Sequence, residues 1–167
     1  MLKSIALLAL SVPATLGVIA DITLEPDQNN VVAGRLEGRW EADEVISERM
    51  GMNSSSKSYE FVEDESITAA LPAKFAKLFE NFRLYEAGTV TVRSGDEVSF
   101  SGPYLLTNHA GNPHLLVFRE RDGEPLADIE SMNIFVGHGK TKAKDVLLVG
   151  GDFNNQPFQA FRRVAQK

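Results

Sequence analysis

Residues 88–102 read GTVTVRSGDEVSFSG, and no other stretch constrains the fold of this 167-residue chain so tightly. Two runs rich in β-branched residues flank Ser94-Gly95-Asp96, a turn-forming triplet. A glycine there supplies the backbone conformation that a tight hairpin needs. Similar short alternating segments recur on both sides: RWEADEVIS, KSYEFVED with Tyr59 and Phe61 on one face, and SITAAL, predicted to pair with it as a hairpin. PYLLTN, HLLVFRERDGEPLADIE, SMNIFVG, KDVLLVGGDF and QPFQAFRRV follow. Turns of a few residues separate them, too short for the helical crossovers that parallel strands require, so antiparallel pairing is dictated. A sheet of about eight or nine such strands curls, and closing it removes its two exposed edges. The expected fold is an all-β, antiparallel, up-and-down β-barrel.

The period changes once. In LPAKFAKLFENF, Leu71, Phe75, Leu78, Phe79 and Phe82 fall on one helical face, with Pro72 suited to a first turn. One short helix is predicted there, capping the core.

The N-terminus reads differently. Lys3 precedes an apolar run at 5–10, and Val18 and Ala20 are small residues placed −3 and −1 from a cut before Asp21. That is the layout of a secretory signal peptide, with an apolar core too short for a stable membrane anchor. The expected organisation is a signal peptide at 1–20, a polar leader at 21–35 and one domain at 36–167, exported to the periplasm or secreted as a monomer. Lys3 is the only charged residue of 1–20, so its removal takes the formal charge from −6 to −7. An acidic chain without a basic, aromatic stripe repels phosphate backbones, and nucleic acid is not an expected partner. With no cysteine in the sequence, disulfides, thiolate metal sites and cysteine nucleophiles are excluded.

Chemistry-bearing motifs are few. GHGKT at 137–141 lacks the glycine that a phosphate loop needs five residues before Gly139, and a strand follows it where a helix should begin. His109, His114 and His138 have no metal-ligand spacing and read as loop histidines. Asp128 and Glu130 share one strand face and could share a proton in a dry cavity, but solvent is the expected surrounding. Met132 and Ile134 continue their face, while Ala127, Ile129 and Phe135 make the opposite face apolar as well. No serine sits on a sharp strand-to-helix turn. No catalytic residue, metal site or cofactor is expected.

Residues 36–40, LEGRW, hold the only tryptophan, and the terminal FQAFRRV brings Arg162 and Arg163. A Gly-x-Trp opening the first strand of an antiparallel chain, with an arginine in the last strand, resembles the lipocalin-like (calycin) superfamily. That resemblance implies that Gly38 and Trp40 close the barrel base with an arginine stacked on the indole, Arg163 being the better placed. It departs from the family in lacking the middle Thr-Asp-Tyr type motif and disulfides, and in placing its helix mid-chain. The expected function is a non-catalytic barrel holding a small, mostly apolar ligand in its lumen, with Tyr59, Phe61, Val98, Phe100, Tyr104 and Leu116 as lining residues. The alternative is a filled barrel that docks a protein partner or acts as an inhibitor through loops 49–58 and 137–144.

Overall fold

The computed structural model describes residues 32–52, 55–75, 82–109, 112–122, 124–137, 140–141, 144–150 and 158–165. Eight antiparallel strands close into an up-and-down barrel, each paired to its sequence neighbour and the last to the first. They are β1 (Gly38–Ala42), β2 (Lys57–Glu63), β3 (Arg83–Ser94), β4 (Glu97–His109), β5 (Asn112–Arg121), β6 (Glu124–Gly137), β7 (Val146–Gly150) and β8 (Gln159–Arg163). The seam is closed by Trp40 opposite Arg163 and Ala42 opposite Phe161. This architecture is compatible with a lipocalin-like fold. Fewer strands form than the segments suggested, because PYLLTN is the second half of β4 and SMNIFVG the second half of β6.

Two predicted elements are different objects. The first strand stops at Ala42, and Asp43 caps helix α1 (Glu44–Arg49), its carboxylate accepting from the Ile46 N–H at 2.9 Å. An aspartate followed by Glu44 in the first turn is a helix start that outweighs strand alternation across ADEVIS. SITAAL forms no hairpin: it is the 3-10 helix Glu65–Ala70, begun by Asp64, whose carboxylate accepts from the Ser66 N–H and hydroxyl. After it comes only a 3-10 turn, Ala73–Phe75, where the sequence predicted an α-helix over 71–82. Residues 76–81, with Leu78 and Phe79, lie outside the described residues.

This connection packs along the outside of the wall. Leu71, fully buried, meets Leu84, Ala87, Leu105, Leu116 and Phe118, and Ile67, Phe75, Phe82, Leu126 and Ile129 pack against the same cluster. The helical spacing thus marks the buried residues correctly although the helix type is wrong. A strap of this kind explains why β4 and β5 are apolar on both faces: one faces the lumen and the other faces the strap.

The inner cluster fills the lower and middle barrel. Trp40, Phe61, Tyr104, Leu106, Leu115, Ile134, Leu147 and Phe161 have no more than 1% exposure, and Val32, Ala33 and Leu36 join them. The folded domain therefore reaches back to Val32, and residues 32–35 of the predicted leader are part of the core.

Candidate functional site

The two ends of the barrel are built from different chemistry. At the base, the Arg163 guanidinium lies 4.2 Å from the centroid of the Trp40 ring. It also donates to the carbonyls of Glu37 and Arg35. Trp40 Nε1 in turn donates to the Leu36 carbonyl at 2.7 Å. Gly38 has φ +111°, and a Cβ there would stand 3.0 Å from Arg163 Nη1, so only glycine leaves the guanidinium room. Burial pulls the Arg163 pKa below its usual value, an effect that Asp145 opposes. Arg162 faces the other way and pairs with Asp43 at 2.8 Å.

The segment before β1 is held in the base by charge. Glu86, 2% exposed, accepts from the Gly34 N–H at 2.8 Å and from the Tyr104 hydroxyl at 2.5 Å. Burial, and then Glu86, push the Tyr104 hydroxyl well above the ordinary tyrosine range. Arg35 makes two bonds to Asp145, at 3.0 and 2.9 Å, and the Asp145 side chain has no exposure. These contacts give every charge in the base a structural task.

The opposite end holds a cup of about 230 Å³. Val90, Val92, Phe100, Val117 and Met132 form its apolar lining, and Lys57, Tyr59, Ser94, Ser99, Arg119 and Glu130 its polar lining. Each strand from β2 to β6 contributes inward residues by simple alternation. The floor is aromatic: the Tyr59 and Phe161 rings meet edge-on at 5.0 Å, and Phe61 meets Tyr104 edge-on at 5.5 Å. Arg119 stacks on the Phe100 ring at 4.6 Å and pairs with Glu130 at 2.5 Å. With side chains 43% and 46% exposed, that ion pair contributes ~0–1 kcal/mol. Burial, then the Glu130 charge, push the Tyr59 hydroxyl up to about 12, while Arg119 opposes them, so it stays a neutral donor and acceptor at physiological pH. Among the described residues Lys57 has no carboxylate partner.

Of the predicted lining residues, Tyr59 and Phe100 line the cup, and Phe61 and Tyr104 lie beneath it in the filled barrel. Leu116 and Val98 do not face the lumen. Leu116 belongs to the outer cluster under the strap. Leu115, Leu116, Val117 and Phe118 are all apolar, so alternation alone could not set the phase; the pairing of Tyr104 with Val117 sets it. Val98 is 47% exposed because the ladder shifts register at Ser99: Phe100 pairs with Val92, but Val98 pairs with Arg93. That one-residue slip turns the side chain outward.

Other expectations resolve similarly. Glu130 faces inward with Met132 and Ile134, but it is held by Arg119, and Asp128 is exposed, accepting from the Ile129 N–H. His114 is a buried residue of β5, not a loop histidine, while His138 lies outside the described residues. Reasoning from sequence passed over Lys57, Arg119 and Glu130. Their signal was a charge recurring at the end of an inward-facing alternation, as in Leu115, Val117, Arg119. Among the described residues no group of three His, Asp or Glu could hold a metal, and no helix is long and apolar enough to cross a membrane. Comparison with protein-family models, with curated proteins and with solved structures gives no match.

Proposed function

We propose that this chain is an exported, non-catalytic, lipocalin-like carrier whose cup holds one small amphipathic molecule. The observation that carries this reading is the contrast between the ends: the base is filled to the last side chain, while about 230 Å³ stays open above the aromatic floor. Pockets for drug-sized ligands are ~300–1,000 Å³, so the ligand is small. Its apolar part would lie on Val90, Val92, Val117 and Met132, and its polar group would meet Tyr59, Lys57 or Arg119. The lumen expectation is thereby narrowed to a smaller and more polar compartment. Membership in the calycin superfamily is part of the proposal, supported by the stacking of Arg163 on Trp40 across Gly38. Native mass spectrometry of the protein purified from its own host tests it. A co-purifying mass of a few hundred daltons is expected, and a clean apo mass under gentle conditions counts against the carrier reading.

A second reading has one observation of its own. Val45, Met50 and Val98 are about half exposed and belong to segments at the same end of the barrel. Together with loop 49–58 they would form a docking face for a protein partner. Loop 137–144, named with it from sequence, is at the base end and cannot share that face.

A further inference from the structure

The barrel departs from regular geometry repeatedly at one place, the upper wall between β4 and β5. The β4–β5 ladder runs from His109–Asn112 up to Tyr104–Val117 and stops there. Above it comes Pro103, which has no N–H to offer a ladder, preceded by Gly102. On one side, β3 and β4 slip register at Ser99; on the other, β5 and β6 slip at Glu120. Leu126, facing the slip, has φ +56°, a conformation that a branched side chain adopts only under constraint from its surroundings. Bulges gather at barrel rims and beside functional sites, where they re-aim side chains.

These irregularities surround a second cavity of about 400 Å³ on the outside of the wall, lined by Phe100, Ser101, Gly102, Pro103, Phe118, Arg119, Glu120 and Leu126. It shares only Phe100 and Arg119 with the cup inside. A Cβ on Gly102 would stand 2.6 Å from the Phe100 ring, so the ring lies folded over a position that only glycine leaves open. The partition between the two compartments is therefore one aromatic ring and one guanidinium, held by an exposed stack and an exposed ion pair.

We infer that cup and cleft are two compartments of one binding site, and that its ligand is a single-chain amphiphile carrying one negative charge. This rests on the carrier reading of the cup. The charged residues lining the cup are Lys57, Arg119 and Glu130; with Glu130 taken by Arg119, the Lys57 ammonium is the charge left to complement. The anionic group sits in the cup, and the tail passes the Phe100–Arg119 partition onto Pro103, Phe118 and Leu126 in the cleft. The cup alone is smaller than a typical ligand pocket, and the cleft alone is open to one side; joined, they reach the size range in which a ligand is mostly enclosed.

Isothermal titration of the full chain with butyrate, hexanoate, octanoate and decanoate, below their micelle concentrations, tests the inference. Beyond the length that fills the cup, each methylene is expected to keep tightening Kd, by roughly fourfold at full burial. The neutral amide of octanoate is expected to bind roughly tenfold more weakly than octanoate itself, since it loses a charge-assisted bond. The variant K57Q should bring the two together. E120W, which fills the cleft from outside the cup lining, should end the gain with chain length. A Kd that stops falling once the cup is full, a gain that survives E120W, or an amide as tight as the carboxylate overturns the inference while leaving a cup that binds small molecules. Absence of heat with every member of the series overturns the carrier reading together with it.

Discussion

Replacing Arg163 with methionine keeps an unbranched stem of similar reach and deletes only the guanidinium. Three interactions vanish together: the stack on Trp40 at 4.2 Å and the bonds to the carbonyls of Arg35 and Glu37. A half-desolvated cation–π contact is worth ~1 kcal/mol. Each bond from a charged donor contributes ~1 kcal/mol when its acceptor regains some water on loss of the partner. The expected cost is then about 3 kcal/mol. The neighbouring substitution Arg162→Met removes an ion pair from an arginine whose side chain is 61% exposed and should cost at most ~1 kcal/mol. Urea unfolding followed by tryptophan fluorescence measures both, because Trp40 is the sole tryptophan and reports on the base itself. A fall in midpoint at unchanged slope is expected for R163M. At roughly 3 °C per kcal/mol for a domain of this size, its Tm should drop by about 9 °C. Equal effects of the two substitutions, or a loss under 1 kcal/mol for R163M, would show that the arginine's placement over the indole contributes nothing that another surface cation could not.

Three further outcomes are expected. Glu86→Ala leaves the Tyr104 hydroxyl and the Gly34 N–H without their buried acceptor and should cost ~2–4 kcal/mol by urea unfolding, with Glu86→Gln milder. Leu71→Ala empties a fully buried site between strap and wall and should cost ~2–4 kcal/mol in the same assay, while native tryptophan fluorescence stays unchanged because Trp40 is in the inner cluster. Tyr59 should give the protein an alkaline limit. Its folded pKa, about 12, lies above the unfolded value near 10. In that window the unfolded chain has lost a proton that the native chain keeps, so stability is intact below ~10 and falls by roughly 1.4 kcal/mol per pH unit as pH rises to about 12. Tyr59→Phe should flatten this part of the pH–stability curve, read by unfolding titrations and tyrosinate absorbance.

The barrel was legible because its signals are local. The Ser94-Gly95-Asp96 turn and the alternation around it need no information from elsewhere in the chain, and both appear in β3 and β4. Elements decided by competition were not legible. Residues 43–49 alternate as a strand would, yet one carboxylate reaching the Ile46 N–H diverts them into α1. Leu116 could face either way until Tyr104 met Val117 across the ladder, since the strap that covers its face is made by residues forty positions upstream. Val98 was misplaced by a register slip that no single residue announces. Of the cup, Tyr59 and Phe100 were visible as large apolar residues in phase. Lys57, Arg119 and Glu130 were not, because a charge at the end of a strand ordinarily means that the strand has reached water, and here it means that it has reached the rim of a cavity.

The structure separates what holds the barrel from what the barrel can offer. Below the aromatic floor the charged residues Arg35, Glu86, Asp145 and Arg163 reach partners drawn from distant parts of the chain, and the sequence between them tolerates no slack: glycine at 38, a fully buried Leu36, a seam that pairs first strand to last. Above the floor the contacts are weak, exposed and clustered around irregular backbone. A protein gains nothing in stability from an unzipped wall, a strained leucine and a lysine without a partner, and each of these lowers stability a little where a regular barrel would not. Departures of this sort persist when the position is used, and here they fall together on the two side chains that divide the cup from the cleft. The base, for all that its tryptophan and arginine attract the eye in the sequence, is the end least able to act on anything.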